Sequence, residues 1–107
     1  MKVSYGAMLI AKERSRQVEE ENYTAGHDEQ HIGGELALAG ACYAFDYIGD
    51  VFADESCDQV ANDFWPWEGG TMKTIPDMKT SPDNAIKQLT KAGALIAAEI
   101  DRLHRFR

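Results

Sequence analysis

Apolar residues recur along much of this chain at the three- and four-residue steps of an α-helix, and the clearest run lies near its end. Ser81-Pro82-Asp83 reads as a helix start. The serine side chain can cap free backbone N–H groups, and proline is tolerated at the first helical position, where its missing N–H would have had no partner. From there Ile86, Leu89, Gly93, Ile96, Ile100 and Leu103 step by three and four without a break. A second helix is expected from about Asp28 to Ile48, on a stripe of Ile32, Leu36, Ala39 and Tyr43 that Leu38, Cys42 and Phe45 widen. A third covers Tyr5 to Asn22, apolar in its first half and charged in its second, where the chain reads KERSRQVEEEN.

Between Gly49 and Pro82 the periodicity is lost, and Pro66, Gly69-Gly70 and Pro76 exclude a long regular element. A short helix around Glu55 to Asp63 fits within this stretch. The remainder is a loop rich in large groups, FWPWEGGTMKTIPDMKTSP, and long loops in small domains are usually functional or disordered. Two tryptophans argue against disorder. The pattern therefore predicts a mainly all-α single domain over residues 1–107, a compact bundle of about three to four helices with one long aromatic loop at about 49–81.

Composition changes this picture in two ways. A chain of 107 residues buries a modest core, so self-association into a homo-oligomer is an expected supplement to its stability. The net charge of -7 argues against a general nucleic-acid binder or an anionic membrane surface, both of which ask for excess lysine and arginine. No segment approaches the roughly 20 apolar residues of a membrane span, and the apolar start is too short for a signal peptide. A cytoplasmic location with reduced thiols follows, with Cys42 packed in its apolar run.

Four groups of residues carry candidate chemistry. His27, His31 and Glu35 fall at i, i+4 and i+8, a spacing at which two imidazoles and a carboxylate on one helix face can hold a divalent metal with a position open to water. The same residues also fit an exposed helical pair preceded by a loop histidine. Gly33 and Gly34 interrupt this segment, so either the helix begins after them or another backbone or a ligand comes close. Carboxylates are frequent (Glu13, Glu19, Glu20, Glu21, Glu35, Asp46, Glu99, Asp101), but the paired ExxE and ExxD of magnesium-binding MazG-type pyrophosphohydrolases is missing, since Leu38 follows Glu35 at i+3. Most of these acids read as solvated faces or as pairs with lysine and arginine.

Trp65-Pro66-Trp67 presents two indoles held by a rigid proline, able to sandwich a flat base or to cover a core. Arg14, Arg16, Lys73 and Lys91 are the basic residues suited to phosphate contacts beside it. Lys91-Ala92-Gly93-Ala94 admits close approach of another helix, with Lys91 one turn from Lys87 on a face apart from the isoleucine stripe. No phosphate-binding loop, dinucleotide fingerprint or nucleophile-base pair is present in the sequence.

Taken together, Glu13-Arg14-Ser15-Arg16-Gln17, Tyr23-Thr24, His27-Asp28, His31, Gly34-Glu35-Leu36, Cys42-Tyr43-Ala44, Trp65-Pro66-Trp67 and the run from Lys91 to Arg102 resemble a family of short phage and prophage proteins. Its members share an ERxRQ start, a WTxxHD turn, a GELA helix, a WPW loop and a KAGALIxAEIxRL helix. Tyr23 stands where the family has tryptophan, and the loop after Trp67 is longer. The resemblance implies a phage context and a host-cell cytoplasm, but no established activity. Small phage accessory proteins alter nucleotide pools, inhibit host proteins or sequester nucleotide signals of antiviral systems. The reading that needs no catalytic constellation is binding of a small phosphorylated nucleotide-like ligand, with Trp65 and Trp67 on the base. The alternatives are a metal-dependent nucleotide hydrolase built on His27, His31 and Glu35, and an inhibitor presenting its acidic surface to a host factor.

Overall fold

The computed structural model describes residues 2–20, 34–67 and 72–105, and every regular element among them is a helix. In chain order these are α1 (Tyr5–Glu20), α2 (Glu35–Phe52), α3 (Glu55–Phe64) and α4 (Pro82–Arg105). The expected all-α bundle is the fold, and no described helix is long and apolar enough to cross a membrane.

Local chemistry sets the helix ends. Ser81 Oγ accepts the Asn84 N–H at 3.3 Å, the cap expected of Ser-Pro-Asp, and α4 ends on Arg102, His104 and Arg105, which suit the negative end of its dipole. Gly34 sits at φ 90 immediately before α2, a left-handed conformation that favours glycine, and no heavy atom approaches its missing side chain. Of the two expectations for the glycine pair, the helix start is therefore the one realised at Gly34. The expected helical residues 28–33, with Gly33, lie outside the described residues.

The long loop is shorter than expected. α2 continues past Ile48 to Phe52, and Ala53 then turns the chain at φ 52. Asp54 accepts the Ser56 N–H at 2.9 Å and opens α3, which fills the place expected for a short helix. The irregular aromatic segment thus begins at Trp65. Periodicity could not show this, because a short amphipathic helix such as Glu55–Phe64 spans fewer than three turns.

α2 and α4 form the central pair. They run antiparallel: Gly40 meets Ala92 and Ile96, whereas Tyr43 and Asp46, further along α2, meet Gln88, earlier on α4. A Cβ at Gly40 would stand 2.9 Å from the Ala92 carbonyl oxygen, so only glycine lets the two backbones come this close. The core consists of Leu36, Ala39 and Tyr43 from α2 and Ala92, Leu95 and Ala98 from α4, covered by Trp65, Trp67 and Met72. Half of these six core residues are alanine, so the covering indoles supply much of the apolar area.

The face that α4 buries differs from its apolar stripe. Gln88, Ala92, Leu95, Glu99 and Arg102 are buried, while Leu89, Ile96, Ile100 and Leu103 are exposed, Ile100 by 61%. The helix lies where the stripe predicts it, but the stripe faces solvent. Gln88 is tolerated inside because its amide is fully used, and Glu99 because it pairs with Arg102.

Candidate binding groove

Gln88 organises the region around the candidate site. Its side chain is wholly buried; Nε2 donates to the Tyr43 carbonyl at 3.0 Å and to Asp46 Oδ2 at 2.7 Å, and Oε1 accepts the Ile75 N–H at 2.9 Å. One amide thereby joins α2, α4 and the aromatic segment. Two further bonds hold that segment, from Lys79 N–H to Asp50 Oδ2 at 3.0 Å and from Asn84 Nδ2 to the Pro76 carbonyl at 2.8 Å, and Met78 is buried beneath it. Burial pushes the Asp46 carboxyl above its usual range against the opposing pull of the Gln88 hydrogen bond, with Asp58 and Asp50 adding to the upward shift.

Beside Ile75 lies a groove of about 450 Å³ between α1 and the first half of α4. Its α1 wall is Tyr5, Leu9, Glu13 and Arg16; Ile75 also lines it, and α4 contributes Ile86, Lys87 and Lys91 with Asp83 and Thr90. Arg16 grips Glu13 with two bonds, Nε to Oε1 and Nη2 to Oε2, each 2.7 Å. The Arg16 hydrogen bonds hold the Glu13 carboxyl below its usual range despite partial burial, and Lys91 adds a smaller pull in the same direction.

Lys91 is placed by an aromatic row. Its Nζ lies 5.2 Å from the centre of the Tyr43 ring, the geometry of a cation–π contact. Trp65 meets Tyr43 edge-on at 5.5 Å, and Trp67 meets Trp65 edge-on at 5.2 Å. The buried Trp65 Nε1 and Gln17 Oε1 have no hydrogen-bond partner among the described residues.

The structure brings together Arg16 and Lys91 of the expected phosphate-contacting residues. Arg14 turns away to Asp101, Nε to Oδ2 at 3.1 Å, and Lys73 is exposed on the loop and does not line the groove. Trp65 and Trp67 pack at 89° to each other against the core, so in this arrangement they leave no parallel slot for a base and instead support Tyr43 beneath Lys91. Lys87 joins the groove, as its one-turn spacing from Lys91 allows, and Tyr5 joins it with no signal in the sequence. Glu99 pairs with Arg102, one of the two roles expected of these acids, and the pair is buried, which the sequence did not signal.

His27, Asp28 and His31 lie outside the described residues. Glu35 opens α2, and among the described residues no group of three histidine, cysteine or acidic side chains is arranged to hold a metal ion. Cys42 is buried in the core, as expected, and burial raises its thiol pKa, which keeps it in the weakly nucleophilic neutral form.

Chemically, the groove combines an apolar wall (Leu9, Ile75, Ile86) with three cations and two carboxylates, Glu13, which orients Arg16, and Asp83, so cations outnumber acids by one. Such a site suits an anion carrying a flat or apolar portion. Set against protein-family models, curated proteins and solved structures, the chain matches none.

Proposed function

We propose that this chain is a phage or prophage accessory protein that binds a small phosphorylated nucleotide-like ligand in the α1–α4 groove, withdrawing a host antiviral nucleotide signal in the host cytoplasm. The observation that carries this reading is the convergence of Arg16 and Lys91, distant in sequence, with Lys87 on one groove that also has an apolar wall. Lys87 and Lys91 are compact point charges suited to phosphate oxygens, and Arg16, oriented by Glu13 and with Glu20 Oε2 3.9 Å from its Nη1, adds a third cation to the groove. The base lies along Leu9, Ile75 and Ile86, with Tyr5 at the margin.

Sequestration asks only for binding groups, and among the described residues the groove supplies these as the cations Arg16, Lys87 and Lys91 and the apolar Leu9, Ile75 and Ile86. Self-association, expected of so short a chain, belongs to the same reading. The test is thermal melting with a panel of linear nucleotides, cyclic nucleotides and ADP-ribose derivatives. A ligand at about one hundred times its Kd stabilises the fold by roughly 2.7 kcal/mol and raises Tm by several degrees. An unchanged Tm across the whole panel contradicts the reading.

A further inference from the structure

The α1–α4 groove has two chemically different ends. Ile10 of α1 lies against Gly93 of α4, and Arg14 Nε donates to Asp101 Oδ2 at 3.1 Å, so later residues of one helix meet later residues of the other and the two run parallel. Tyr5 and Asp83 stand where both helices begin, and Arg16 and Lys91 line the groove further along each helix. One end therefore carries a carboxylate and the other carries cations.

This polarity gives a bound nucleotide a direction. The first turn of a helix attracts anions, because its free N–H groups leave partial positive charge there. In α4 that place is held by Asp83, whose own charge repels phosphate. Phosphate is directed instead to Lys87, Lys91 and Arg16. The two lysines centre on position 89, six residues from Asp83, a distance of about 9 Å along α4 at a rise of about 1.5 Å per residue.

What lies that far from a phosphate identifies the group that Asp83 meets. A carboxylate accepts hydrogen bonds and donates none, so it seeks an N–H or O–H on the ligand. An extended covalent chain advances about 1.2 Å per bond, since the three backbone bonds of a residue cover about 3.5 Å. In a nucleoside 5′-phosphate the sugar hydroxyls stand roughly five or six bonds from phosphorus and reach about 7 Å at most. The exocyclic amine of the base stands roughly ten bonds away and reaches about 12 Å, so it is the donor that spans the gap.

On the reading of this groove as a nucleotide site, we propose that Asp83 selects the base: the groove takes a nucleoside 5′-phosphate whose base carries an exocyclic amine. The phosphate sits at Arg16, Lys87 and Lys91, the base crosses Leu9 and Ile86, and the amine donates to the Asp83 carboxylate. A base without the amine leaves that carboxylate to water and loses one charge-assisted hydrogen bond.

The experiment is calorimetric titration of the full chain with two pairs of 5′-monophosphates, each differing by the amine alone: adenosine against purine riboside, and cytidine against 2-pyrimidinone riboside. In the wild type the amine-bearing member of a pair is expected to bind about ten-fold more tightly, the low end for a bond to a charged group, because Asp83 is exposed. Asp83→Ala keeps the Ser81 cap and is expected to bring both members to the affinity of the amine-free one or slightly tighter, since an acid that repels phosphate has gone. Loss of a merely structural residue would weaken both members together. Equal binding within both pairs in the wild type, or a preference that survives Asp83→Ala, overturns the inference and leaves the phosphate site standing. Failure of all four ligands to bind also overturns it, and an unchanged Tm across the wider nucleotide panel would then remove the underlying reading as well.

Discussion

Lys91 Nζ stands 5.2 Å above the centre of the Tyr43 ring, and this contact links the groove to the core. The ring belongs to the buried cluster, and Trp65 braces its edge. A cation is thus held where α1, α4 and Ile75 converge. Lys91→Met keeps the stem of the side chain and removes the charge. Its expected cost to stability is small, about 0.5–1 kcal/mol for a partly exposed cation–π contact. Its expected cost to binding is larger, about 1.5–3 kcal/mol for a lost charge-assisted bond to phosphate, or roughly ten- to one-hundred-fold in Kd. Urea unfolding and a nucleotide titration of the same variant separate the two effects.

Trp65 is expected to act on stability more than on affinity. It covers Tyr43 and packs on a core rich in alanine, so Trp65→Ala should lower stability by about 2–4 kcal/mol, seen as a lower urea midpoint. Trp65→Phe retains most of the apolar area and removes an indole N–H that has no partner among the described residues, so it should cost clearly less. Equal midpoints for the alanine variant and the wild type would show that the indole is no part of the core.

Gln88→Leu removes three hydrogen bonds from a fully buried site and leaves the Ile75 N–H and the Tyr43 carbonyl without those partners. The expected loss is about 2–4 kcal/mol. Amide hydrogen exchange should accelerate at Ile75 more than in the middle of α1, because the amide is what fastens the loop. Unchanged protection at Ile75 would mean that Met78 and the Lys79 and Asn84 bonds suffice.

Asp46 and Glu13 give stability opposite dependences on pH. The Asp46 carboxyl is raised above 3.8 by burial, so its favourable contribution is present below that ordinary value and is lost as pH rises through the folded-state value. At neutral pH its charge is a cost. Asp46→Asn, which still offers Gln88 an acceptor, should therefore be more stable than the wild type at pH 7, with the gain shrinking on acidification. The Glu13 carboxyl is lowered from 4.5 chiefly by Arg16, so its contribution is present above that value and lost as pH falls through the folded-state value. Glu13→Gln should be less stable at pH 7 and approach the wild type in acid. Urea midpoints of the three proteins across pH 3–7 check both signs.

Much of the helical framework was legible because its signals are local. Ser81 and Pro82 define the start of α4; the start of α2 at Glu35, later than the expected Asp28, was one of two readings that the Gly33-Gly34 pair left open. What covers each helix face was not legible. Periodicity groups Ile86 through Leu103 on one side of α4, yet it cannot say that Gln88 finds three partners and turns the opposite side inward. The candidate site divides in the same way. Arg16, Arg14, Lys73 and Lys91 were readable as cations, but their assembly depends on how α1 crosses α4, and only Arg16 and Lys91 reach the groove. The Trp-Pro-Trp segment announced itself as aromatic; its indoles pack edge to face because Tyr43 and the small core offer them apolar cover.

The most direct test of the binding groove is a tryptophan-fluorescence titration of the wild type and of a Lys87→Met, Lys91→Met variant, comparing phosphorylated nucleotides and ADP-ribose derivatives with the corresponding nucleosides. The expected result is a saturable change with at least one phosphorylated ligand, absent with its nucleoside and lost in the variant. No change with any phosphorylated ligand, or an equal response to the nucleoside, would contradict a groove built for phosphate.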